Sequence, residues 1–282
     1  MKKILITWAN GMLAHDLIPV LERDYELKLT DVAEMDITDF ASISAVLWSF
    51  SPDLVINCAA YTAVDKAENE GKMLNYQVNA LGVWLLAKGC KESGADLIHI
   101  STDYVFDGTS EKGYAVDDAC KPLNEYGMAK RMGEKLARQH LPDTIIVRTA
   151  WLYGGGVDFP NFVNTMIKLG TEKDTLTVVN DQHGLPTYTV DLANAIHLMT
   201  KDMQKYRWST QHFTNSGEKS ISRYEFTKEI HRQAGIDCEV SPCGSEVYVR
   251  PAARPTWSEL INESEVQLPE WKDGLGRYLV RL

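Results

Sequence analysis

The chain has 282 residues, 44% of them apolar and 24% charged, with a formal net charge of -10. That length and apolar share support one large domain or two modest ones around a sizeable core, and they exclude a disordered, collagen-like or low-complexity polymer. The acidic excess argues against nucleic acid or an anionic membrane as main partner, and no apolar run approaches the ~18 residues of a membrane span.

Asn10 and Gly11 cut short the apolar stretch that begins at Ile4, so the start of the chain does not read as a signal peptide. The five cysteines (Cys58, Cys90, Cys120, Cys238, Cys243) are scattered and lack metal-type spacing. The expectation is free thiols in a reducing cytoplasm and no structural metal.

In chain order, residues 4–7 predict a short strand, 12–23 a helix and 26–30 a second strand. Residues 39–51 have the helical spacing of Phe40, Ile43, Val46 and Leu47; 54–57 predict a buried strand and 73–93 a long helix. A fourth strand at 97–101, a helix at 126–139 and a strand at 144–149 complete the first half. Repeated βα units of this length imply an α/β fold, a doubly wound, Rossmann-like parallel sheet covered by helices on both faces. Beyond residue 150 the rhythm changes, with three glycines at 154–156 and Pro160, Pro186, Pro242, Pro251 and Pro255 interrupting the elements. Residues 222–234 form an amphipathic helix, 241–270 look irregular, and a closing helix is expected around 271–280. The expected division is a dinucleotide-binding domain over 1–150 and a mainly substrate-binding lobe over 151–282, some of whose segments return to the sheet.

The first strand-to-helix turn of such a sheet receives a dinucleotide pyrophosphate on backbone N–H groups at a helix N-terminus. Here it reads Thr7-Trp8-Ala9-Asn10-Gly11-Met12-Leu13-Ala14, and only Gly11 survives of a G-x-x-G-x-x-G pattern. Trp8 is the severe departure. At positive φ a side chain costs roughly 1–2 kcal/mol, and the indole needs room near the phosphates. By itself the turn is equally compatible with a plain connection. Asp31 ends the second strand twenty residues past Gly11, where an acidic side chain bonds the adenosine ribose hydroxyls. It could equally be an ordinary strand-end residue.

The fourth strand runs into Ser101-Thr102-Asp103, placing hydroxyls at the carboxyl end of the sheet, where ligands bind. Tyr126 and Lys130 follow at i and i+4, on one helical face. A neighbouring ammonium favours the phenolate and suits a tyrosine that exchanges a proton with a carbonyl oxygen. Tyr224 and Lys228 repeat the spacing without a preceding hydroxyl-bearing strand, and they read as a solvated helix face. The seven histidines form no cluster and receive no role.

With these residues in place the chain resembles the extended short-chain dehydrogenase/reductase superfamily, and within it the dTDP-4-dehydrorhamnose reductases. The matching stretches include Asp31-Val32, Met35-Asp36-Ile37-Thr38, residues 57–65, Ser101-Thr102-Asp103-Tyr104-Val105-Phe106-Asp107-Gly108 and 126–130. They continue through 148–151, 179–182, 184–187 and Arg254-Pro255, in order along nearly the whole chain. The resemblance implies that Thr102, Tyr126 and Lys130 are catalytic, with Lys130 also on the nicotinamide ribose. It implies cofactor contacts from Gly11, Met12, Leu13, Asp31, Asp36, Ile37, Ala60, Tyr61 and Thr62, with Asn79 as a buttress. It further implies sugar contacts from Thr102, Asp103 and Trp151, and a diphosphate contact from Arg254; core packing for Trp151 and a surface ion pair for Arg254 are the alternatives. The cofactor would be NADPH or NADH, no metal is expected, and the partner would be a nucleotide sugar, with a homodimer compatible with the sequence. Two other functions stay open: a non-catalytic regulatory homologue with a degenerate cofactor loop, and a reductase or epimerase of another nucleotide sugar.

Overall fold

A computed structural model describes residues 1–282. The elements in order are β1 (Lys3–Thr7), α1 (Met12–Leu21), β2 (Glu26–Thr30), α2 (Phe40–Phe50), β3 (Leu54–Asn57), α3 (Lys72–Tyr76) and α4 (Val83–Ser93). There follow β4 (Asp96–Thr102), α5 (Glu125–His140), β5 (Ile145–Thr149), β6 (Leu152–Tyr153), α6 (Phe162–Glu172), β7 (Thr175–Val179), β8 (His183–Gly184) and β9 (Thr187–Tyr188). The chain ends with α7 (Thr189–Lys201), α8 (Met203–Tyr206), β10 (Thr210–His212), β11 (Asn215–Ser216), β12 (Ile221–Ser222), α9 (Arg223–Ala234), β13 (Glu239–Cys243), β14 (Leu268–Glu270) and α10 (Trp271–Leu279).

Six strands form one sheet in the order β10-β5-β4-β3-β1-β2, with every neighbouring pair parallel. The alternation of side chains along β1 explains its two covers. Ile4 and Ile6 enter one apolar layer, with Leu17 of α1 and Ile196 of α7, while Leu5 enters the opposite layer with Ile43 of α2 and Leu86 of α4. The expected parallel sheet covered on both faces is therefore present. Strand order reverses between β1 and β3, and the crevice outside the carboxyl ends of those two strands is where an open parallel sheet receives ligands.

Two segments from beyond residue 150 join the sheet region: β10 pairs with β5, and α7 supplies Leu192, Ile196 and Met199 to the layer around α1. The remaining C-terminal elements enclose a separate apolar cluster around Tyr153, Phe226, Ile230, Trp271 and Tyr278.

Two expectations need correction. The helix expected over 73–93 is interrupted by a π-helical turn, Gln77–Gly82, between α3 and α4. Residues 241–270 are not wholly irregular, because β13 pairs in parallel with β7, opposing Pro242 to Val178. Each of these two strands has a single neighbour, and an edge position tolerates proline because the missing N–H can face away from the ladder.

Candidate active site

The turn after β1 is shaped around Gly11, the N-cap of α1, whose side-chain-free cap leaves the first N–H groups of that helix unbonded by any capping side chain. A Cβ at Gly11 would lie 2.5 Å from Trp8 Cδ1, so glycine is required by close approach. Trp8 itself has φ of 55°, so the cost of a side chain in the left-handed region applies here. Ala9 N–H bonds to Thr30 O at 3.0 Å, and Asn10 N–H donates to Asp31 Oδ2 at 3.3 Å. The turn is thereby tied to the end of β2.

The other wall follows β3 and β4. Asn79, in the π-helical turn, accepts from Tyr61 N–H at 3.1 Å and donates to Tyr61 O at 2.8 Å. This pins residues 60–62 beside the cleft and fits the buttress role that the resemblance implies. Helix α5 opens with Asn124 Oδ1 accepting from Gly127 N–H at 2.8 Å. A Cβ at Gly127 would stand 2.1 Å from Tyr104 O. Only glycine lets the first turn of α5, which carries Tyr126, pack this close to the segment following Thr102.

One cleft of about 660 Å³ brings together Gly11, Met12, Leu13, Ala60, Thr62, Thr102, Asp103, Tyr126, Lys130 and Trp151. Trp8 and Asn10 also line it, while Asp31 touches its end through Asn10. Four expected residues lie elsewhere. Asp36 accepts from the Thr38 N–H and hydroxyl at 2.8 and 2.7 Å. Ile37 is buried in the layer with Ile43 and Leu86. The Tyr61 hydroxyl abuts Gly71. Arg254 grips both carboxylate oxygens of Asp65 and donates to Ala252 O at 2.7 Å; it lines a second cavity rather than the cleft.

Within the cleft, Thr102 donates to Asp103 Oδ1 at 2.8 Å, leaving Asp103 Oδ2 buried without a partner. Burial raises the Asp103 carboxyl to about 6. Burial, followed by the Asp103 charge, also pushes the Tyr126 phenol above its ordinary value, against the Thr102 hydroxyl. The lowering by Lys130 anticipated from the sequence is not expressed in this geometry. Lys130 instead donates to Ile100 O at 2.6 Å, and burial draws its ammonium down to about 8.

Behind Lys130 runs a polar chain that the sequence did not reveal. Thr7 Oγ1 donates to Asn57 Oδ1 at 2.7 Å, and Ala59 N–H donates to the same oxygen at 3.1 Å. That oxygen is therefore the acceptor, and Asn57 Nδ2 donates to His99 Nδ1 at 3.0 Å. In the neutral imidazole the remaining proton sits on Nε2, which faces Lys130 Nζ at 3.5 Å. Burial, followed by the Lys130 charge, holds His99 well below the usual imidazole range, so it is neutral. An N–H directed at Nζ disfavours the ammonium there and leaves it better placed turned into the cleft.

Arg223, at the start of α9, was also missed. It lines both the cleft and the second cavity, as does Tyr104. The neighbouring Tyr224–Lys228 pair has its ammonium 5.4 Å from its own ring centroid and does not line the cleft; Lys228 is exposed as expected, whereas Tyr224 packs partly on the C-terminal apolar cluster.

Parallel sheet, switch-point crevice and the grouping of Thr102, Tyr126 and Lys130 together define the short-chain dehydrogenase/reductase class. The family model described as the RmlD substrate binding domain matches residues 1–282. A dTDP-4-dehydrorhamnose reductase of Streptomyces griseus is 41% identical, covering 91% of this chain and 84% of the relative. The crystal structure of a Clostridium acetobutylicum dTDP-4-dehydrorhamnose reductase superposes with a TM-score of 0.93 at 42% identity, covering 99% and 98% of the two chains. A Bacillus anthracis dTDP-4-dehydrorhamnose reductase in complex with NADP gives a TM-score of 0.93 at 37% identity, with all of both chains covered. The chain belongs to the RmlD family, that of the dTDP-4-dehydrorhamnose reductases.

Proposed function

We propose that this protein is an NADPH- or NADH-dependent reductase that converts the C4 ketone of dTDP-4-dehydro-β-L-rhamnose to the alcohol of dTDP-L-rhamnose. The observation that carries this is the convergence of Thr102, Tyr126 and Lys130 on one cleft at the switch point, opposite the open N-terminus of α1.

The residues fit a dinucleotide. The uncapped N–H groups after Gly11 suit a pyrophosphate, Asp31 lies at the end where ribose hydroxyls would be bonded, and Ala60 and Thr62 line the cleft between. When bound, the reduced nicotinamide supplies a hydride to the ketone carbon. Tyr126 gives its phenolic proton to the ketone oxygen, and Thr102 holds that oxygen in line. Burial and Asp103 keep the phenol protonated before the step. Lys130, turned from Ile100 O into the cleft, stabilises the phenolate left behind and helps return its proton. Asp103 Oδ2 is free to accept from a sugar hydroxyl.

The purified chain, mixed with NADPH or NADH and dTDP-4-dehydrorhamnose, is expected to consume the nicotinamide absorbance stoichiometrically with formation of dTDP-L-rhamnose. One observation favours a different outcome: Trp8, in a left-handed turn, lies against Gly11 and lines the cleft where a pyrophosphate would have to approach. A chain that binds neither nucleotide, and gains neither binding nor turnover in Trp8→Gly, is a non-catalytic member of the fold.

A further inference from the structure

Arg223 has no place in the catalytic set or in the motifs that carry the family resemblance. Its position is set by a capping box: Ser222 Oγ accepts from Glu225 N–H at 3.1 Å, and Glu225 Oε2 accepts from Ser222 N–H at 2.7 Å. A bond from Arg223 N–H to Gln182 O at 3.2 Å adds a second anchor.

The side chain stacks on aromatic faces, with the Asp103 charge close enough to favour its cationic form but in no ion pair with it. Its guanidinium carbon stands 3.5 Å from the Trp151 ring centroid and 4.9 Å from that of Phe162. Such stacking leaves the in-plane N–H donors free. Burial draws Arg223 down to about 10, so it is cationic at neutral pH. Arg254 contrasts with it, because its donors are already committed to Asp65 and Ala252 O.

Arg223 also stands at a junction. On one side is the cleft with Tyr126; on the other is a cavity of about 780 Å³ whose lining combines Phe162, Val178 and Tyr248 with Lys173, Arg250 and Arg254. A ligand spanning both would have a small polar head, an anionic middle and a planar apolar end. Trp151 cannot offer a clear face to the head, because Arg223 covers one side and Gly184 lies so close that a Cβ there would stand 3.1 Å from the indole.

We propose that Arg223 is the principal ligand of the substrate's diphosphate, its planar fork donating to phosphate oxygens at the neck between the two cavities. The sugar then lies in the cleft and the nucleoside in the second cavity. This rests on the chain being a nucleotide-sugar reductase.

The test is calorimetric binding of dTDP, thymidine and NADPH to the unaltered chain and to Arg223→Met, Arg223→Lys and Arg254→Met. Charge-assisted bonds of this kind predict that Arg223→Met weakens dTDP by about 100-fold, with thymidine and NADPH affinities nearly unchanged. Arg223→Lys should recover part of the loss, and Arg254→Met should cost less than Arg223→Met. Thermal unfolding of each variant separates a lost ligand from a lost fold, and Arg223→Lys carries the test if the methionine variant unfolds. Undiminished dTDP binding in folded Arg223→Met, or in folded Arg223→Lys where methionine unfolds the chain, overturns the proposal alone. An unaltered chain that binds NADPH but not dTDP overturns the proposal together with the nucleotide-sugar reading.

Discussion

Trp8 and Lys130 are each held at an energetic cost that ties local strain to function. For Trp8, φ of 55° is unfavourable for a residue with a side chain, and the indole stands against the turn where phosphate must approach. Trp8→Gly relieves both, and a gain of about 1.4 kcal/mol in cofactor contacts corresponds to tenfold tighter NADPH binding, measurable by titration calorimetry. For Lys130, a fall from 10.5 to about 8 corresponds to about 3 kcal/mol against the charged form. At neutral pH both folded and unfolded chains carry the proton, so the full penalty applies. As pH rises through 8 the folded form sheds its proton first, and the penalty fades towards the unfolded value. Lys130→Met should therefore raise the unfolding temperature at pH 7, raise it less near pH 10, and abolish turnover. His99→Gln presents an acceptor to Nζ in place of an N–H. The Lys130 titration, followed by NMR of labelled lysine, should then move upward from about 8, the nearby Glu134 and Cys58 being unchanged.

The helical turn around Asn79 shows how an element positions chemistry without touching substrate. Its π-helical geometry directs the Asn79 amide at both backbone groups of Tyr61. Asn79→Ala would leave those groups without a partner, at a cost of about 1–3 kcal/mol. The expected signature is a lower unfolding temperature together with a raised KM for NADPH. This turn was not legible in the sequence, because hydrophobic spacing over 73–93 is that of an ordinary helix and a single inserted residue leaves the period almost intact. Strands β1, β3 and β4 were legible because apolar runs bounded by turns are local signals. Strands β7 and β13 were not recognised, since their pairing joins residues far apart in sequence and Pro242 disguises one of them.

At the scale of the whole molecule, an acidic composition does not preclude local basic groupings. The net charge of -10 coexists with Lys173, Arg223, Arg250 and Arg254 around one cavity. No helix is long and apolar enough to cross a membrane. The Thr102–Tyr126–Lys130 grouping was readable because βα topology delivers a strand end and the following helix to the same crevice. The placements of His99 and Arg223 were not, because each depends on a partner brought from another element: Asn57 at the end of β3 for one, Trp151 and Phe162 for the other.

The central claim is that Tyr126 protonates the ketone oxygen as hydride arrives, and its most direct test is the rate of NADPH oxidation by dTDP-4-dehydrorhamnose in Tyr126→Phe beside the unaltered chain. Loss of a positioned general acid should slow the reduction by about 10²–10⁴ while NADPH still binds. Equal rates in the two proteins would contradict the assignment.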